Sequence, residues 1–187
     1  METTTLRSLV LSIALTLLLV LAAAEASAQG KLPPPELPEL SAPPYGTTSY
    51  SLTLGELDGG QVALSRFKGK VIFLHYWATY CGSCVAELPA LQRLRDGLRD
   101  RDDIVFLAVS KDQDTAMVSE FLKKRSLNLP VYMRIENSEE FPPGGIPVTF
   151  VVERKGTVRF RHSGPVNWDH PSAKAYLLAV AGERGER

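Results

Sequence analysis

Cysteine is almost absent from this 187-residue chain: there are two, Cys81 and Cys84, in "WATYCGSCVAELP". A framework of several disulfides is therefore excluded, and so is a four-cysteine zinc site. Histidine is equally sparse. His75, His162 and His170 are scattered, so a zinc half-site at the cysteines lacks its other two ligands. Covalent haem attachment needs a histidine directly after the second cysteine, and that residue is Val85. Charge of one sign is not in surplus either. Lys+Arg and Asp+Glu are each 21, which argues against a nucleic-acid partner. No glycine-rich phosphate loop, flavin or nicotinamide site and no internal repeat is visible, so no cofactor and no metal is expected.

What is present begins with the N-terminus. Arg7 precedes an uncharged, mostly apolar run at 9–24, and "ASA" at 26–28 supplies small residues. This is the pattern of a secretory signal peptide over residues 1–28, cleaved after Ala28 or retained as an anchor. The run is short for a transmembrane helix, which needs about 20 residues. The expected location is periplasmic or otherwise extracytoplasmic, where disulfides persist. Residues 29–44 hold six of the thirteen prolines and read as an extended, unpaired linker, a possible membrane tether.

From residue 45 to 187 the pattern is that of one α/β domain. "YSLTLGEL", "DGG" and "QVALS" read as a β-hairpin. "KVIFLHYW", 70–77, reads as a buried central strand, and 82–100 as an amphipathic helix. "DIVFLAVS" at 103–110 is a second buried strand. A helix over 114–126 presents Met117, Val118, Phe121 and Leu122 on one face. "PVYMRI" is a short strand, and "PVTFVVE" and "TVRFRHS" form a hairpin closed by "RKG". "PSAKAYLLAVAG" is a terminal helix. This order predicts a mixed sheet with helices on both faces.

Cys81 follows a strand and Cys84 lies in the first turn of a helix. Unpaired N–H groups and the positive end of the helix dipole stabilise a thiolate there. A redox couple fits that placement. A structural staple stays open, although so short a loop constrains the unfolded chain little. A Cu(I) metallochaperone also stays open, with His162 as its only additional candidate ligand.

"VIFLHYWATYCGSCVAELPAL" resembles the active-site segment of exported TlpA/ResA-like thiol–disulfide oxidoreductases of the thioredoxin superfamily, and "GGIPVTFVVERKG" and "GPVNWDHP" resemble their later motifs. The resemblance implies a thioredoxin fold with an N-terminal hairpin and a helix–strand insertion at about 111–135. It implies that Cys81 attacks a substrate disulfide and Cys84 resolves the adduct. Pro147 would be cis and would expose the backbone of Ile146 to substrate. Trp77 and Tyr80 would shield and flank the site, and Pro89 would kink the helix. Glu87 would assist proton transfer. His75 departs from the family and is a possible proton relay; Gly82-Ser83 departs from the frequent Gly-Pro. The acidic loop with Glu136, Glu139 and Glu140 would border the site. Expected partners are protein thiols or disulfides, such as those of cytochrome c or copper-site maturation, and a membrane thiol donor. The protein is expected to act as a monomer. An oxidant that donates disulfides is the alternative direction.

Overall fold

The computed structural model describes residues 32–37, 44–48, 50–135 and 144–182. The signal-peptide segment and Glu136, Glu139 and Glu140 lie outside them. Residues from Pro33 onward form one compact unit.

Among the described residues eight strands make one sheet: β1 (Gly46–Thr47), β2 (Thr53–Glu56), β3 (Gln61–Ala63), β4 (Val71–Trp77), β5 (Ile104–Ser110), β6 (Val131–Arg134), β7 (Val148–Val152) and β8 (Thr157–Ser163). Their spatial order is β1-β8-β7-β4-β5-β6-β2-β3. β4 runs parallel to β5 and antiparallel to β7. It lies at the centre, and all seven of its residues are buried. That explains its apolar run: both of its faces are covered, so nothing selects polar residues at alternate positions. The hairpin β2–β3 joins the sheet through β6. The β7–β8 turn needs Gly156 at φ 91°, where an added Cβ would stand 2.9 Å from the Tyr50 ring.

Among the described residues three α-helices follow the expected order: α1 (Gly82–Asp96), α2 (Thr115–Lys124) and α3 (Pro171–Gly182). The sulfur of Cys81 caps α1, accepting the N–H of Cys84, and the Asp114 carboxylate caps α2 through Ala116 and Met117. Helix α1 stops at Asp96 rather than 100, because from Leu98 onward the N–H groups bond the carbonyl three residues back instead of four. Pro89 lies inside α1 and is exposed. Met117 is exposed too, so the apolar face of α2 rests on Val118, Leu122 and part of Phe121.

The sheet divides the core in two. Val71, Phe73 and Trp77 of β4 point to a cluster holding Leu88, Leu91 and Leu94 of α1, Val118 and Leu122 of α2, and Tyr176 and Leu177 of α3. Ile72, Leu74 and Tyr76 point the other way, to Tyr50, Leu52, Leu54, Val62 and Leu64. All three helices thus share one cluster, and the expected placement on both faces is corrected. The reason is topological: β4-α1-β5-α2-β6 steps in one direction across the sheet, and right-handed crossovers then put α1 and α2 on the same side. The hairpin and a 3-10 turn at Leu64–Phe67 cover the other face.

The proline-rich segment differs from the unpaired linker expected of it. The Pro33 carbonyl accepts the N–H of Asn167 at 2.6 Å, Pro35 is buried, and Leu37 packs on the helical core. Among the described residues no helix is long and apolar enough to cross a membrane.

Candidate active site

Strand β4 delivers the chain to the site and α1 leaves it. Cys81 and Cys84 are joined by a disulfide, with their Cα atoms 5.3 Å apart. Cys81 is partly exposed, while Cys84 is fully buried. The asymmetry follows from helical geometry: residue 81 sits at the cap, and residue 84 one turn later faces the core. Around the Cys81 sulfur stand the Cys84 N–H at 3.2 Å, the Ser83 hydroxyl at 3.5 Å and the Ile146 carbonyl at 3.8 Å. The Ile146–Pro147 peptide is cis. The topology therefore brings Ile146 and Pro147, 65 residues downstream, beside Cys81.

Tyr80 is 71% exposed next to Cys81. Trp77 is fully buried in the cluster that holds Cys84, its ring 5.6 Å from that of Phe121. His162 lies on β8, in register with Thr149 of β7, and stacks on Phe160.

Beneath the cysteines is a buried polar network that the sequence shows only in part. Glu87 faces inward with no exposure, because it lies one turn beyond Cys84 on the same helix face. Its Oε2 accepts the N–H of Val166 at 3.0 Å and the indole N–H of Trp168 at 3.1 Å. Its Oε1 lies 3.3 Å from Nε2 of His75. The other ring nitrogen, Nδ1, is 2.8 Å from the Thr149 hydroxyl. Burial pushes the His75 imidazole down to about 3. Burial pushes the Glu87 carboxyl up to about 8, against the opposing pull of the Val166 and Trp168 hydrogen bonds. Both shifts disfavour the charged form, so this 3.3 Å contact is not a pairing of two full charges.

These shifts predict how stability varies with pH. The unfolded values are about 6.5 for His75 and about 4.5 for Glu87. Between pH 3 and 6.5 only the unfolded chain protonates His75, so stability rises with pH. Between 4.5 and 8 only the folded chain keeps the Glu87 proton, so stability falls with pH. The slopes cancel from 4.5 to 6.5. The oxidised protein should therefore show a plateau there, losing about 2 kcal/mol toward pH 3 and about 2 kcal/mol toward pH 8. Urea titrations of wild type and Glu87→Gln check this: the variant should not lose stability above pH 6.5.

A second network lies under the active-site loop, and sequence reading did not find it. The buried Asp112 carboxylate accepts the Thr79 N–H at 2.9 Å, the Thr79 hydroxyl at 2.8 Å and the Ser110 hydroxyl at 2.6 Å. Thr79 is two residues before Cys81, so Asp112 ties the loop to the end of β5. Val166 and Trp168 were visible only as part of "GPVNWDHP", with no role attached.

The two strand ends, the capped cysteine and the cis proline describe a thioredoxin-like centre. The Redoxin family model matches residues 36–177. The chain belongs to the Redoxin family. Within it the chain is a TlpA/ResA-like member of the thioredoxin superfamily, a thioredoxin-like thiol–disulfide oxidoreductase. It is similar to the thiol-disulfide oxidoreductase ResA of Geobacillus thermodenitrificans, 26% identical over 123 residues, covering 65% of this chain and 70% of that protein. Solved structures agree in fold. A thiol:disulfide interchange protein of Chlorobium tepidum superposes with TM-score 0.61 at 23% identity, covering 73% of this chain and 99% of that one. A secreted Mycobacterium tuberculosis disulfide oxidoreductase gives TM-score 0.59 at 18% identity, covering 70% and 96%.

Proposed function

We propose that this Redoxin-family protein is an extracytoplasmic reductase of protein disulfides that works through Cys81 and Cys84. The observation that carries the reading is the asymmetry of the pair. The Cys81 sulfur is partly exposed at the start of α1 with a backbone N–H on it, while Cys84 is buried behind it.

In the reduced protein the Cys81 thiolate attacks one sulfur of a substrate disulfide. A Cys81–substrate bond forms, and the other substrate sulfur leaves as thiolate and takes a proton. Cys84 then attacks the Cys81 sulfur. The second substrate thiol is released, and the Cys81–Cys84 disulfide remains. Two electrons have passed to the substrate, and a membrane thiol donor returns them. The extended substrate chain pairs with the Ile146 backbone beside Pro147, and the exposed Tyr80 ring flanks it. Glu87 handles the proton of Cys84. The signal-peptide pattern at residues 1–28 supports the location, and the resemblance of the cysteine segment to the exported TlpA/ResA-like group is the support for reduction as the direction. Cytochrome c or copper-site cysteines are the substrate class proposed.

The experiment is a reduction potential. The full chain is equilibrated in dithiothreitol or glutathione buffers and the Cys81–Cys84 disulfide quantified. A reductase should give a value near about −270 mV or lower, as thioredoxin does, whereas a value near about −120 mV would mark an oxidant and overturn the direction. If no reversible disulfide forms, the enzymatic reading fails.

A further inference from the structure

Resting on the reading above, we propose that His75 and Glu87 hold one proton between them and work as a single accepting unit for the Cys84 thiol, with Thr149 setting the tautomer of His75. His75 is then a positioning residue acting through Glu87, and the imidazole is where the accepted proton comes to rest.

The geometry requires a shared proton. Glu87 Oε1 and His75 Nε2 are 3.3 Å apart and both buried, and among the described residues neither is hydrogen-bonded to any other group. Two bare lone pairs facing each other there would be repulsive, so a proton lies between them. Glu87 Oε2 already accepts two N–H donors, which leaves Oε1 as the oxygen able to carry a proton. Among the described residues, the groups shown against the pair carry no cation. β7 offers Thr149, β5 offers Ala108 opposite His75, and α1 offers Cys84. The β8–α3 loop offers Val166 and Trp168, and His162 of β8 lies in register with Thr149. A net negative charge is costly in such surroundings. The favoured arrangement is therefore Glu87 protonated on Oε1 and donating to Nε2, with Nδ1–H donating to the Thr149 hydroxyl.

That arrangement poses a problem which His75 solves. A carboxyl that already holds its proton cannot take a second from Cys84 unless the first moves on. The bare Nε2 is the place it moves to. As the S–H bond of Cys84 breaks, a Glu87 oxygen gains that proton and the Oε1 proton passes to Nε2. The products are a Cys84 thiolate, a neutral Glu87 and a protonated His75; burial alone makes the imidazole a weak base, and the thiolate formed in the same step is the anion that raises its proton affinity until the thiolate is consumed. The thiolate attacks the Cys81 sulfur of the mixed disulfide, and the leaving thiolate is protonated. His75 then returns its proton to the surroundings. Above the pH at which Glu87 ionises, the carboxylate accepts directly and His75 is no longer needed.

The test uses the reduced full chain and 5,5′-dithiobis(2-nitrobenzoate) in a stopped-flow instrument from pH 5.5 to 9. The first thionitrobenzoate release reports attack by Cys81, and the second reports resolution by Cys84. In His75→Gln the second phase should be at least about tenfold slower at pH 6. It should recover by about tenfold per pH unit toward pH 8, with the first phase unchanged within twofold. Thr149→Val should slow the same phase several-fold. Nitrogen NMR of wild type, independent of any variant's folding, should show His75 protonated on Nδ1 and bare at Nε2. A second phase equally affected at every pH, a slowed first phase, or an Nε2–H tautomer would overturn the proposal while leaving the oxidoreductase reading in place. Absence of a second release in wild type would instead bring down that reading, and this inference with it.

Discussion

Replacing Cys81 by serine is expected to abolish disulfide exchange, lowering turnover at least about a thousandfold. The two cysteines should not behave alike. Cys81 alone presents sulfur to solvent, and the Cys84 N–H and the Ser83 hydroxyl converge on that atom. These donors and the helix dipole favour its thiolate, the attacking species. Cys84 has no exposure and cannot meet a protein disulfide directly. Cys84→Ser should therefore keep the first step and lose the second. It should accumulate a covalent adduct on Cys81, seen as added mass in the intact protein and lost on treatment with dithiothreitol. If Cys84→Ser turned over normally and Cys81→Ser trapped the adduct, the assigned order would be wrong.

Asp112→Ala should cost about 3 kcal/mol of stability. The carboxylate is buried and accepts three hydrogen bonds, from the Thr79 N–H, the Thr79 hydroxyl and the Ser110 hydroxyl. Truncation leaves these donors without an acceptor in a place water does not fill freely, and that desolvation outweighs the modest value of each bond. Urea titration should show the midpoint falling with the slope unchanged. Asp112→Asn keeps one carbonyl acceptor and should lose about half as much. Faster hydrogen exchange at the Thr79 amide should accompany the loss, because that N–H is then held by nothing else identified in the fold. A change below about 0.5 kcal/mol would mean that Asp112 does not tie the active-site loop to β5.

Much of this protein was legible along the chain because its signals are local. The apolar runs of β4 and β5, the helical spacing of Leu88, Leu91 and Leu94, and the Asp114 cap depend on residues a few positions apart. So does the difference in exposure between Cys81 and Cys84, since one helical turn separates the cap from a buried face. Residues "GGIPVTF" and "GPVNWDHP" pointed to the family, and the family model confirms it.

The tertiary structure decided what joins distant positions. Glu87 alone on its helix could have been a solvated side chain. Contact with His75, with Trp168 and with the Val166 backbone, the last two about 80 residues away, makes it a buried acid. His75 alone could have been an ordinary hydrogen-bonded core histidine. Its Thr149 contact, across 74 residues, is what sets its tautomer. The tie that Asp112 makes to the active-site loop had no local signal, because Thr79 is 33 residues earlier and reaches it only when β4 and β5 pair in parallel. The placement of α1 and α2 on one core cluster came from the direction of successive crossovers, a property of the sheet and not of any segment. Local pattern determines which elements form and where the sulfurs lie. Proton affinities depend on what is packed around a group, and only the folded chain brings those neighbours together.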